Sequence, residues 1–236
     1  MPPRPKLIYF AERRPEMDHE AFRARWREHA RLGMSMPRWS NVHRYVHCDA
    51  VEMPDLRMPV ARCDGVAAVW YRDEAHRRNH IADRSAGPVL KRDELETFAR
   101  PVRDVAVLTE EHLLLPFDGE RRKLFLKIRR NPQVGPGEFR AWWRSTLGPG
   151  LTGLLKASGA GQGYAQNLAR PTEAGGAEPL CDCVDEIAAR SAAQVDALLA
   201  GPVPEIVGFA DHVRSVEGVW TEETVLYPAP QMGIQR

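Results

Sequence analysis

The sequence is short of cysteine, of net charge and of long apolar runs. Its four cysteines, Cys48, Cys63, Cys181 and Cys183, are too few and too scattered over 236 residues for a disulfide framework, so a reducing compartment is expected. With 33 basic and 32 acidic residues the formal net charge is +1, which gives no electrostatic reason to expect nucleic acid or an anionic membrane as partner. No segment approaches the roughly 18–20 apolar residues that cross a bilayer, and the opening MPPRPKLIYFAERR has no signal-peptide core. A glycine-rich phosphate loop and a serine-centred GxSxG motif are missing too. These absences lead to the expectation of a soluble cytoplasmic protein whose partner is a small molecule or, as a homodimer, a second copy of itself.

What is there is a repeat. KLIYFAERRPEMDHEAFRARWRE from Lys6 aligns with KLFLKIRRNPQVGPGEFRAWWRS from Lys123, so that Phe22 meets Phe139 and Trp26 meets Trp143 at an offset of 117. Further on Tyr45 aligns with Tyr164, CDGV from Cys63 with CDCV from Cys181, FARPVR from Phe98 with FADHVR from Phe209, and LTEEHLLLP with WTEETVLYP. The order of the matches never changes.

Each copy reads as β-α-β-β-α-β. Residues 6–10 and 123–128 are short β-prone runs. A helix follows, capped by Asp18 in the first copy, with Phe22, Trp26, His29 and Gly33 on one face; in the second copy Pro136 and Gly137 open it and Pro149 is expected to close it. Strands are expected at 41–48 and 63–71, and at 162–168 and 180–188. Short helices come next at 73–82 and 191–200, and last strands near 102–109 and 212–220. This is the ferredoxin-like pattern.

The expected organisation is a unit over 1–116, a linker over 117–121 carrying the turn signal FDG, a second and degenerate unit over 122–228, and a tail over 229–236. Helices cover one face of each sheet, and an apolar second face must be buried against something. The fold class expected is therefore α+β, two ferredoxin-like units in tandem forming an intrachain dimeric α+β barrel. So short a linker disfavours the rival arrangement of two independent domains on a tether.

The residues able to carry chemistry cluster in the first copy. His29 follows Trp26 by three and Phe22 by seven, which aims it along the buried stripe of its helix. There it is either a satisfied core histidine or a general acid/base, with Tyr45 donating to an oxygen on which charge develops. On the next strand, NVHRYVHC alternates: His43, Tyr45 and His47 share one face, and Val42, Arg44, Val46 and Cys48 the other. Either set can be the helix-covered one, and the apolar set is the better core set. The second copy has Thr146, Gln162 and Gln166 where the first has His29, His43 and His47. Catalysis there is expected to be lost, with Tyr164, Asp182 and Glu186 holding the scaffold.

No metal and no cofactor is expected. His76 and His80 are four apart on a helix, but arginines lie between them and no third ligand is near, so they read as a solvated face. Cys181 and Cys183 lack a second pair, and Cys63 reads as a small buried side chain.

KLIYFAERRPEMDHEAFRARWREHA, the later GVAAVWY and the terminal TEEH resemble the EthD family, within the wider dimeric α+β barrel superfamily. The resemblance covers nearly all of residues 5–116 and, more faintly, 122–228. HARLGMSMPRWSNVHRY is also similar to the corresponding part of the methylmuconolactone methylisomerases, cofactor-free enzymes that rely on a histidine and a tyrosine. That similarity places the functional pair on His29 and Tyr45; a second histidine of those enzymes falls near Arg57, and their active-site cysteine at Val69.

The resulting expectation is a cofactor-independent lyase or isomerase of a cyclic or polyketide-like small molecule. His29 moves the proton and Tyr45 stabilises the enolate-like oxygen. His47, His43 and His112 are candidate second acid/base groups, Trp26 a pocket wall and Arg57 a site for a substrate carboxylate. The rivals are a cofactor-free monooxygenase of aromatic compounds and a non-catalytic small-molecule or haem-binding accessory protein.

Overall fold

The computed structural model describes residues 4–52, 57–117, 119–170 and 179–228. Asp118 of the linker and the tail 229–236 lie outside the described residues. Eight strands close into a barrel in the order β1-β3-β2-β8-β5-β7-β6-β4. The chain divides into two compact units, one of residues 1–49, 63–108 and 223–236, the other of 50–62 and 109–222.

The first unit begins with β1 (Pro5–Ala11) and α1 (His19–Met34). Asp18 caps α1, its carboxylate accepting from the Ala21 amide at 2.8 Å, and Phe22, Trp26, Ala30 and Gly33 form the buried stripe. Next come β2 (Val42–Ala50) and β3 (Gly65–Tyr71), antiparallel to each other, with β1 antiparallel to β3 on its other side. The helices α2 (Glu74–Ala82) and α3 (Gly87–Thr97) follow. The last strand starts later than expected. Residues 102–105 make one helical turn, α4 (Val102–Val105), because Pro101 sets up a turn in which the Asp104 amide donates to its carbonyl; β4 then runs Ala106–Leu115.

The second unit is built on β5 (Arg122–Arg130), β6 (Gly161–Ala169), β7 (Cys183–Ala189) and β8 (Val213–Tyr227). β7 pairs with β5 and β6, and β5 pairs with β8 up to Glu222. The long helix does not stop at Pro149. α5 (Pro136–Trp142) passes through a π turn at Trp143–Leu147 into α6 (Gly148–Ser158). Proline cannot donate the i−4 bond that a regular helix requires. The π turn widens the helix just ahead of it, the Gly148 amide reaching back to the Trp143 carbonyl, so the chain continues. α7 (Ala192–Ala200) and the short α8 (Phe209–His212) complete this unit.

Candidate active site

The first unit holds a chain of buried polar groups between α1 and its sheet. Trp26 reaches the sheet because β3 opens with Gly65, where an added Cβ would lie 2.5 Å from the indole. The indole stacks on the His47 ring at 3.8 Å between centroids, and its Nε1 donates to the Tyr9 hydroxyl at 3.1 Å. The Tyr9 and Tyr45 hydroxyls are 2.9 Å apart. Tyr45 Oη is 2.5 Å from His47 Nε2, and Arg27 Nη1 is 2.5 Å from His47 Nδ1. Arg27 is itself anchored, Nη2 donating to Asp49 Oδ2 at 2.5 Å.

Donor counting fixes the direction of this chain. A guanidinium only donates, so His47 Nδ1 accepts and the ring is neutral with its proton on Nε2. Burial and the charges of Arg27 and His29 hold the His47 pKa well below its usual value, consistent with that state. His47 therefore donates to Tyr45. Trp26, His47 and one phenol then supply the hydrogens for the three bonds around the two hydroxyls, and the second phenol hydrogen has no acceptor among the described residues. Neither tyrosine gives up its proton readily: burial pushes Tyr9 up to about 12 and Tyr45 well above its ordinary value.

Tyr9 and Tyr45 both line a cavity of about 110 Å³, shared with His29, Trp39, Tyr71, His80 and Glu94. His29 Nδ1 donates to Asp93 Oδ2 at 2.6 Å, and Arg25 Nη2 donates to Asp93 Oδ1 at 2.5 Å. Burial works to raise the Asp93 pKa, but these bonds outweigh it and the net shift is downward. An ionised Asp93 keeps the His29 proton on Nδ1 and leaves Nε2 as the exchanging nitrogen. An imidazole held by a carboxylate and a pair of phenols with one hydrogen to spare thus line one space.

His29, Tyr45 and, behind Tyr45, His47 are brought together. Trp26 backs the network rather than lining the cavity. His43 is not part of the site: a bulge between Val42 and Arg44 turns it to the surface and moves Val42 onto the face of Tyr45. His112 is exposed on β4, opposite Gln166 in the register with β6. Arg57 lines a cavity of the second unit, because residues 50–62 belong there. His80 is buried, a correction to the solvated face expected for α2. It packs on Tyr71 and Trp39 and donates from Nδ1 to the Arg38 carbonyl at 3.0 Å, while burial pushes its pKa down to about 4. His76 is half-buried and paired with Asp73 at 2.7 Å. Sequence reasoning missed Tyr9, Asp93 and Glu94.

The second unit carries a different polar set at the aligned positions. Trp143 Nε1 donates to Asp185 Oδ1 at 3.1 Å and the Tyr164 hydroxyl to Asp185 Oδ2 at 2.6 Å. Gln166 donates to the Trp143 carbonyl at 2.8 Å. Glu186 pairs with the buried Lys123 at 2.7 Å, and Asp182 accepts from the Arg130 amide at 2.9 Å.

Residues 14–101 match the family model of the EthD domain. No curated protein matches the chain. An anthrone oxidase-like protein of known structure is similar over 95% of this chain and 94% of its own, with a TM-score of 0.59 at 9% identity. A chlorite dismutase variant from Candidatus Nitrospira defluvii is similar over 95% and 92%, with a TM-score of 0.56 at 10% identity. A haem-binding protein from Thermus thermophilus is similar over 94% and 92%, with a TM-score of 0.53 at 10% identity. At such identities the likeness is one of fold, the α+β barrel.

Proposed function

We propose, from the match of residues 14–101 to the EthD domain model and from the site's geometry, that the chain is a cofactor-independent acid–base enzyme, a lyase or isomerase of a small carbonyl compound. The reading rests on one observation: the hydrogen-bonded Tyr9–Tyr45 pair and the Asp93-held His29 line the same cavity. His29 Nε2 takes a proton from carbon next to a carbonyl. The C–H electron pair moves into the new C=C bond, and the carbonyl oxygen, gaining negative charge, accepts the phenol hydrogen. In an isomerase the proton returns from Nε2 to another carbon. In a lyase the enolate pair re-forms the carbonyl and makes an α,β C=C bond, and the departing β-oxygen takes the proton from Nε2 and leaves as water or an alcohol. A positioned base contributes about 10²–10⁴-fold and an oxyanion donor about 10²–10³-fold. His47 acts through Tyr45 and is a positioning residue.

A space of about 110 Å³ admits the reacting end of a molecule; a cavity of about 150 Å³ takes one benzene ring. The same volume leaves no room for a haem. Among the described residues, the wall of the larger cavity of the second unit carries no histidine, cysteine or tyrosine to ligate an iron, so no step is assigned to that group.

The test needs no prior substrate. A panel of cyclic ketones, lactones and β-dicarbonyl compounds is incubated with the full chain in D₂O and followed by NMR. Enzyme-dependent deuterium incorporation next to the carbonyl, lost in His29→Ala, is the expected result. No exchange with any compound, or exchange unchanged in the variant, contradicts the proposal. Stoichiometric oxygen uptake would instead identify an oxygenase, and a ligand that binds and emerges unchanged would identify a binding protein.

A further inference from the structure

The second unit contains a cavity of about 440 Å³, within the range of small-molecule sites. Its walls are apolar, among them Leu126, Leu151, Leu199 and Phe209. Leu126 occupies the position aligned with Tyr9, so the substitution that removes one phenol also opens an apolar space.

Two polar features interrupt these walls. Asp185 is 1% exposed and reaches the cavity beside Trp143. Trp143 and Tyr164 both donate to its carboxyl group, and burial pushes its pKa up to about 7 despite those bonds. When protonated it has one O–H left, with no acceptor among the described residues. At the outer end stand Arg57 and Arg214, both exposed, with no ion pair to either guanidinium among the described residues. Asp196 also borders the cavity, and its Oδ1 accepts from the Arg57 amide at 3.1 Å. The two guanidiniums still outnumber it.

We propose that this cavity is a second small-molecule site, for a hydrophobic carboxylic acid with an oxygen at its far end. The carboxylate meets Arg57 and Arg214, the apolar body fills the space between Leu126, Leu199 and Phe209, and the far carbonyl or hydroxyl oxygen meets Asp185. The inference is independent of the reaction proposed for the first unit. The site has a binding role, with no reaction attached to it.

Calorimetric titration of the full chain with 6-hydroxy-2-naphthoate tests this. One equivalent is expected to bind, at least tenfold more tightly than 2-naphthol, which lacks the carboxylate. Replacing both arginines, Arg57→Ala with Arg214→Ala, should weaken binding at least tenfold, and Leu199→Trp should abolish it. His29→Ala should bind as the parent does, which separates this site from the first unit's cavity. The arginines are on the surface, so that variant remains informative if Leu199→Trp does not fold. No binding at millimolar probe, 2-naphthol binding as tightly as the acid, or binding unchanged in the double arginine variant would overturn the proposal.

Discussion

The two halves of this chain share a tryptophan on the long helix and a tyrosine on the following strand, yet bury opposite ionisable groups against them. In the first unit Trp26 and Tyr45 meet an imidazole, kept neutral by burial and by Arg27 on Nδ1. In the second, Trp143 and Tyr164 meet the Asp185 carboxyl, which burial holds protonated up to about pH 7. Desolvation disfavours the charged form in both cases, and each network ends with one hydrogen to spare beside a cavity. The difference lies in what else faces that cavity. The first unit adds a carboxylate-held His29, while the second adds apolar wall and two arginines at the outer end. On the proposed readings, divergence within one framework separates a site that moves protons from one that holds a ligand.

The largest effect expected from breaking this contrast is His29→Ala, which should lower deuterium exchange by about 10³-fold. Tyr45→Phe should cost about 10²-fold in kcat, and Tyr9→Phe should add a stability loss of about 1–3 kcal/mol by leaving the Trp26 N–H without its acceptor; parallel turnover and urea unfolding measure both.

The pH dependence of stability sharpens the comparison, because the two buried groups have opposite signs. The folded-state pKa of His47 is depressed, so its contribution is full above its ordinary value of 6.5 and drains away as pH falls below that. His80, pushed down to about 4, acts in the same direction. The pKa of Asp185 is raised from 3.8 to about 7, so its contribution is full below 3.8 and is lost as pH rises through about 7. Asp185→Asn should therefore lose stability more steeply than the parent between pH 6.5 and 4.5. His47→Gln, which copies Gln166, should lose it more gently, with His80 still titrating. Each difference approaches at most about 1.4 kcal/mol per pH unit, and urea midpoints at three pH values check the sign.

The scaffold was legible because the repeat and the cap residues are local signals. Asp18, the Phe22–Trp26 spacing and the paired strand runs point to the observed elements. What escaped depends on long-range packing. α3, which carries Asp93, buries only Leu90 and Thr97, so GPVLKRDELET shows no amphipathic stripe. Tyr9 sits in a strand with nearly every residue buried, where alternation cannot choose a face. The bulge at His43 breaks the two-residue period on which the His43–Tyr45–His47 alignment relied. His80 looks solvated beside its arginines, and only the position of Trp39 and Tyr71 shows otherwise. Asp185 lies in a strand buried at all seven positions, so nothing in CVDEIAA distinguishes it from a residue that would find a counter-ion.

The claim on which the account turns is that the first unit's two central imidazoles carry their protons on opposite nitrogens. Long-range ¹⁵N–¹H NMR of the histidine rings reads this directly. At the basic limit of the titration His29 should be the Nδ1–H tautomer and His47 the Nε2–H tautomer, with His47 showing no imidazolium signal down to pH 6. A protonated His47 at that pH, or His29 carrying its proton on Nε2, would contradict the assignment of base and donor.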